Sequence, residues 1–276
     1  GLNIIKGANA QGKTNLIEAI YMCSIGKSLR ASKEKQTIKW DMERAYISLD
    51  VEKKYGKSNI EIIISKNAKK TVRINKIPIK KIGELMGELN AVFFSPDELK
   101  LIKESPEDRR RFMDISLSQM SKNYFYLLGK YERVLANRNK LLKEDLSREK
   151  LLSTLSIWDE QLATIGSKII LNRIQFLQNL APYALLSHKY LTSDSEELKL
   201  DYTGIIGNTE EEIKQKFLQA LNKNLEKDIK LCFTSVGPHR DDIKVSVNGI
   251  DVRTFGSQGQ QRTCALSLKL AELEII

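Results

Sequence analysis

Hydrophobic and polar positions alternate with a period of two along the first third of the chain, and with a period of three to four beyond it. The short-period stretches are residues 46–51, 59–65 (NIEIIIS) and 71–75 (TVRIN), rich in β-branched side chains and separated by turn signals at Tyr55-Gly56 and Asn67. They predict an antiparallel meander. Leu2, Ile4 and Ile5 predict a short strand ahead of an amphipathic helix over 15–22. Residues 80–87 predict a short helix, and AVFF at 91–94 a buried strand. Residues 26–40 (GKSLRASKEKQTIKW) follow neither period and read as a basic loop entering a short element.

The pattern changes after Pro106. Leu117, Met120, Tyr124, Leu127, Tyr131, Val134 and Leu141 recur at intervals of three and four, with Arg138 the one interruption. This seam of about four heptads predicts one extended helix over 107–144. Residues 151–190 predict its return through Trp158, Leu162, Ile165, Ile169, Ile174, Leu177 and Ala181, ending near Pro182. The pair reads as an antiparallel helical arm, or as an ordinary helical subdomain.

Downstream come a strand over 198–202, a capping box at Thr209 and Glu212 opening a helix to about Lys227, and a strand over 231–236. A two-residue hairpin at Asn248-Gly249, with arms 243–247 and 251–254, precedes a final amphipathic helix. The chain thus divides into a strand-rich lobe at 1–105, a helical lobe at 106–230, and returning strands with a last helix at 231–276.

Composition narrows the class. With 276 residues, 41% of them hydrophobic, the chain can bury a substantial core. It contains no apolar run of 18 residues and no secretory leader, so no membrane partner and a cytoplasmic location are expected. It starts at Gly1, not Met, and is expected to be a fragment. Cys23, Cys232 and Cys264 stand apart, and with only His188 and His239 beside them they predict core hydrophobes, not a zinc site. The net charge of +10 is uneven: about +7 over 1–99, about +5 over 100–150 and about −2 over 151–276. That asymmetry fits a basic surface facing nucleic acid as well as ordinary solvated charge.

The chemistry concentrates in two places. Residues 7–14 read GANAQGKT and fit the phosphate-loop pattern GxxxxGK[ST], lying between the predicted strand and helix as that motif requires. Gly7, Ala8, Asn9, Ala10, Gln11, Gly12, Lys13, Thr14 and Asn15 would hold a nucleoside triphosphate. Backbone amides cradle the phosphates, Lys13 faces the β and γ phosphates, and the Thr14 hydroxyl ligates Mg²⁺. The second place is SQGQQ at 257–261, where Ser257 is placed to cap the last helix and Gln260 to complete a capping box. Gly259 lets a ligand approach that helix start closely.

GxxxxGKT followed by Asn15 and Glu18, a helical insertion, GPHRDD at 237–242 and FGSQGQQR at 255–262 together resemble the RecF family of ABC-type ATPases, relatives of Rad50 and SMC heads. FSPDELKLIKESPEDRRRFMD at 94–114 also matches, and the likeness spans nearly the whole chain. The resemblance implies an α/β P-loop ABC-ATPase head, a mixed sheet with an antiparallel meander plus a helical arm. It implies ATP and Mg²⁺ bound by the loop, with Ser257, Gln258, Gly259 and Gln260 of a second copy capping the γ-phosphate in trans within an ATP-dependent homodimer. It further implies single- or double-stranded gapped DNA as a partner, faced by Lys27, Arg30, Lys33 and Lys35, and work with RecO and RecR in loading RecA during repair, replication and the SOS response. Arg109, Arg110 and Arg111 match a family motif and suit a structural role equally well.

No Walker B strand follows the signature, so competent hydrolysis is not expected from these residues alone. A weak DNA-dependent ATPase is expected of the complete protein. The alternative classes are a P-loop small-molecule kinase using Asp97, which would stay monomeric with nucleotide, and a purely structural head, which would need far longer helices.

Overall fold

The computed structural model describes all residues except Ala10, Ser32 and Tyr55, and the side chains of Pro96 and Asp97. The chain divides into two compact units, Gly1–Phe93 with Ser118–Lys122, and Phe94–Leu117 with Asn123–Ile276.

The first unit contains α1 (Lys13–Ile25) and a four-stranded meander of β1 (Arg44–Lys53), β2 (Gly56–Ser65), β3 (Thr71–Ile74) and β4 (Ile77–Pro78). Successive strands pair antiparallel, as the period-two pattern predicts. Side chains alternate along β2, so Ile60, Ile62 and Ile64 turn inward. They join Val72, Leu85, Met86 and the inner end of α1, where Tyr21, Met22 and Cys23 are buried. Full burial of such side chains contributes roughly 1.5–3 kcal/mol each.

Two strands expected in this unit do not form. Residues 1–8 have no described strand to pair with, and Leu2 and Ile4 lie in solvent. An isolated strand has no ladder bonds to hold it. Residues 91–94 are irregular because the Gln119 amide takes the place of a neighbouring strand: Ala91 N–H donates to its Oε1 at 2.8 Å, and its Nε2 donates to Ala91 O at 3.2 Å. The predicted helix over 80–87 shrinks to one 3₁₀ turn, Ile82–Glu84.

The second unit is mostly helical. It contains α2 (Lys100–Lys103), most of α3 (Pro106–Met120) and α4 (Lys122–Leu141), and the 45-residue α5 (Arg148–Thr192). The single helix expected over 107–144 is two, broken at Ser121. Pro182 does not end α5 either. Its ring faces solvent, and the turns beyond it are anchored by fully buried Ala184 and His188, which offset the roughly 3 kcal/mol an internal proline costs. After α5 come β5 (Leu198–Thr203), α6 (Glu210–Lys223), α7 (Leu225–Leu231), β6 (Asp242–Val247), β7 (Ile250–Asp251), α8 (Val252–Phe255) and α9 (Gln258–Ile275).

Thr209 caps α6 as expected, while Glu212 reaches past it to Asn208 N–H at 2.8 Å. The helix expected to run to Lys227 breaks at Asn224. Residues 231–236 form no strand: α7 ends there with Cys232 at φ 57°. Asn248 and Gly249 take positive φ as a type I′ turn demands, but the second arm stops after two residues, where Asp251 caps α8.

Buried ion pairs lock this unit. Arg138, the apparent flaw in the apolar seam, is fully buried; its Nε meets Asp159 at 2.6 Å and its Nη1 meets Asp228 at 2.9 Å and Thr234 at 3.0 Å. Arg173 likewise clasps Asp114 at 2.8 and 2.9 Å and Pro238 O at 2.6 Å. The pairings 138–159 and 114–173 set α3 and α4 antiparallel to α5. Arg109 bonds Asp242 at 2.6 and 2.9 Å, and Arg110 donates to Asp241 O at 2.8 Å. The arginine motif therefore ties α3 to residues 237–242.

Burial disfavours the charged form of two titratable groups in that stretch. His239 Nε2 donates to Thr234 O at 3.0 Å, so its Nδ1 accepts from Tyr131 O–H at 2.7 Å, and its pKa falls from 6.5 to about 4. Burial pushes the Asp241 carboxyl up from 3.8 to about 6, although it accepts from Tyr202 O–H at 2.5 Å.

Replacing Arg138 with Ala strands the buried Asp228 charge and should cost about 3–5 kcal/mol, read by urea unfolding. A loss below about 1 kcal/mol would show that the pair does not hold the helices. The two groups act on stability in opposite directions with pH. The His239 contribution is present above pH 6.5 and lost as pH falls towards 4; that of Asp241 is present below pH 3.8 and lost as pH rises through 6. Asp241→Asn should therefore steepen the rise of stability between pH 4 and 6.5 by on the order of 2–3 kcal/mol. Parallel pH profiles for the two proteins would contradict this.

Candidate functional site

The loop at 7–14 turns into α1 at Gly12, whose φ of +84° lies in the left-handed region. No atom lies within 4 Å of a Cβ built there, so glycine is needed for its backbone angle and not for space. Among the described residues, a Cβ at Gly7 would touch only Lys13 Cδ at 4.0 Å. Glycine has no side chain to cap a helix, and α1 accordingly has no side-chain cap. Its first-turn amides, from Lys13 to Asn15, are the donors every helix start leaves over; the next, Leu16 N–H, is already bonded to Gly12 O at 3.1 Å.

Lys13 folds back over the loop and donates to Gly7 O and Ala8 O at 2.6 Å each. One ammonium thus holds the two ends of the turn together. Thr14 and Asn15 are exposed beside it, as is Gln11, and Asn9 lies in the turn itself. Ala10 lies outside the described residues. A helix start without its own side-chain cap, a cation over the loop and an exposed hydroxyl suit a polyphosphate with a divalent ion. Among the described residues no cluster of three His, Cys, Asp or Glu side chains could hold a metal by itself. Thr14 is the protein ligand the loop offers.

The basic segment follows directly. Gly26 ends α1 at φ +73°, and Lys70 Nζ donates to its carbonyl at 2.6 Å while pairing with Glu34. Ser28 is buried; its hydroxyl donates to Glu18 on α1 and accepts the amides of Arg30 and Ala31 at 3.1 and 2.9 Å. Arg30 also approaches Glu18, at 3.9 Å. Glu18 therefore fastens the basic loop to the helix that starts at the phosphate loop. Lys27, Lys33 and Lys35 are exposed. Lys35 lines an open cleft of about 590 Å³ with Lys66, Lys69 and Lys70. The sequence reading missed these last three, since SKNAKK looks only like a hairpin turn; three lysines within five residues was the available signal.

The second helix start, on α9 in the other unit, is built differently. Ser257 Oγ accepts Gln260 N–H at 3.2 Å, and Ser257 N–H donates to Gln260 Oε1 at 3.0 Å, completing the predicted capping box. Ser257, Gln258 and Gly259 are exposed and Gln260 half-buried. Gln260 Nε2 also donates to Glu196 at 2.8 Å, a contact no sequence spacing announced. Cys23 and Cys264 are buried, their thiols pushed up to about 11 and about 12 by burial, which suits packing and not reactivity. Among the described residues no helix is long and apolar enough to cross a membrane.

No family model matches the sequence. Curated relatives do. The chain is 45% identical over 279 residues to the DNA replication and repair protein RecF of Alkaliphilus oremlandii, covering 100% of this chain and 76% of that protein. It is 46% identical over 279 residues to the protein of the same name in Acetivibrio thermocellus, with the same coverage. Among solved structures, the recombination mediator protein RecF-ATP of the RecFOR pathway superposes with a TM-score of 0.92 at 40% identity, over 99% of this chain and 74% of that one. The corresponding RecF-ATPrS structure gives a TM-score of 0.89 at 40% identity, over 98% and 73%. The α/β ATPase-head fold expected from the motifs is the fold these structures share.

Proposed function

The chain belongs to the RecF family, and from that membership we propose that it is an ATP-binding, DNA-binding recombination mediator. It dimerises on ATP at single-strand gaps and, with RecO and RecR, helps load RecA in the cytoplasm during DNA repair, replication and the SOS response. The observation that supports this reading best is the glycine-turned, uncapped start of α1 with Lys13 poised over the loop. The solved relative named for its ATP complex shares the fold over 99% of the chain.

In this reading the amides of residues 7–15 and Lys13 bind the triphosphate, and Lys13 exchanges its two loop carbonyls for the β and γ phosphates. Thr14 Oγ1 ligates Mg²⁺, which neutralises phosphate charge when bound. The helix start formed by Ser257, Gln258, Gly259 and Gln260 in a second copy faces the γ-phosphate from the opposite side. A phosphate shared by two helix starts binds the dimer more tightly than the monomer, and that difference is what allows ATP to act as a switch. The basic loop with Lys27, Arg30, Lys33 and Lys35, and the cleft with Lys66 and Lys69, provide the surface for the DNA backbone.

Lys13→Ala should abolish ATP binding by titration with a fluorescent analogue. Its melting temperature should fall by no more than a few degrees, because two exposed hydrogen bonds contribute at most about 1 kcal/mol each. Unchanged affinity would remove the nucleotide site. Lys33→Glu with Lys35→Glu should weaken DNA binding and lower the slope of log K against log salt by about 2. A wild-type slope in that double variant would put the DNA elsewhere.

A further inference from the structure

A line of polar side chains in the second unit leads to the front of α9. His188, fully buried on α5, has Nδ1 3.1 Å from Ser267 Oγ and Nε2 3.1 Å from Glu196 Oε2. Glu196, in the turn between α5 and β5, uses its other oxygen to accept from Gln260 Nε2 at 2.8 Å. A carboxylate oxygen facing an imidazole nitrogen requires a proton between them, so His188 and Glu196 hold one another in place. Gln260 in turn accepts Ser257 N–H at 3.0 Å through Oε1.

Both ends of the Gln260 amide are therefore committed. Its NH₂ must face the carboxylate and its oxygen must face the Ser257 amide, since the reverse places like groups together. Turning this side chain outward would break both bonds and leave Glu196 and the Ser257 N–H without those partners. Gln260 is thus a strut. Ser257 Oγ and the amides of Gln258 and Gly259 are what the helix start presents outward.

We propose that Glu196 is a positioning residue for the α9 signature: it fixes Gln260 and, through Gln260, aims Ser257 and the first-turn amides at a phosphate. This rests on the reading above in which Ser257 to Gln260 cap the γ-phosphate in trans. The electrostatic demand is simple. A helix start binds an anion well when its donors are pre-aimed, because the ordering cost is then met before binding. A His–Glu pair, its imidazole fully buried on α5, supplies that positioning from a second element.

The test compares the full chain with Glu196→Ala and Glu196→Gln by two readouts. Hydrogen exchange over residues 257–261, without nucleotide, should rise in Glu196→Ala and stay at the wild-type level in Glu196→Gln, whose Oε1 still accepts from Gln260. Sedimentation with Mg²⁺ and ATP should show the dimer weakened about 10- to 100-fold in the alanine variant. Nucleotide affinity of the monomer should be unchanged, and the glutamine variant should recover the dimer. Wild-type exchange in Glu196→Ala, or a glutamine variant as impaired as alanine, overturns the proposal. A wild-type chain that never dimerises overturns the trans-capping reading instead, and the exchange comparison then decides the role of Glu196 alone. If Glu196→Ala loses its cooperative melt, Gln260→Ala breaks the same bond from the half-buried end and must raise exchange in the same way.

Discussion

Every α-helix begins with backbone N–H groups that its own carbonyls cannot reach, and this chain's chemistry follows from how two helices treat them. At α1 a glycine occupies the cap position with its backbone in the left-handed region, so no side chain competes for those amides. At α9 a serine and a glutamine satisfy part of the set between themselves. The first arrangement leaves the Lys13–Asn15 amides without a side-chain cap. The second ties the Gln260 amide to Ser257 Oγ and the Gln260 side chain to the Ser257 N–H.

Rigidity around α9 and residues 237–242 comes from buried polar groups, not from apolar packing alone. Arg173 links α3, α5 and Pro238; Arg109 and Arg110 link α3 to Asp242 and Asp241; Arg138 links α4, α5 and α7. Such pairs contribute little net stability over well-packed hydrophobes, but the loss of one partner is severely penalised. The GPHRDD run, part of the family resemblance, has a structural place: Pro238 O, His239 and Asp241 each have a partner inside the unit.

Some features were legible because they are local. The meander follows from alternation of β-branched residues, the Asn248-Gly249 turn from two positive φ angles, and the capping boxes from spacing alone. The features missed depend on partners distant in sequence. Residues 91–94 have a strand's composition, but Ala91 pairs with the Gln119 side chain; Pro182 has a breaker's identity but lies in a helix held by His188 and Ala184. Arg138 looked like a defect, because Asp159 and Asp228 are 21 and 90 residues away.

Local sequence dictates that a GxxxxGK[ST] loop opens a helix at Lys13 and that a serine caps another at Gln258, since both motifs act through backbone groups within a few residues. Tertiary structure alone decided what those two starts are fastened to. Glu18 reaches Ser28 and the basic loop, and Glu196 reaches Gln260 from the end of α5. Each link is a single hydrogen bond between residues 10 and 64 positions apart. Periodicity carries no information about such a bond, because it depends on where two folded segments meet and not on what either one resembles.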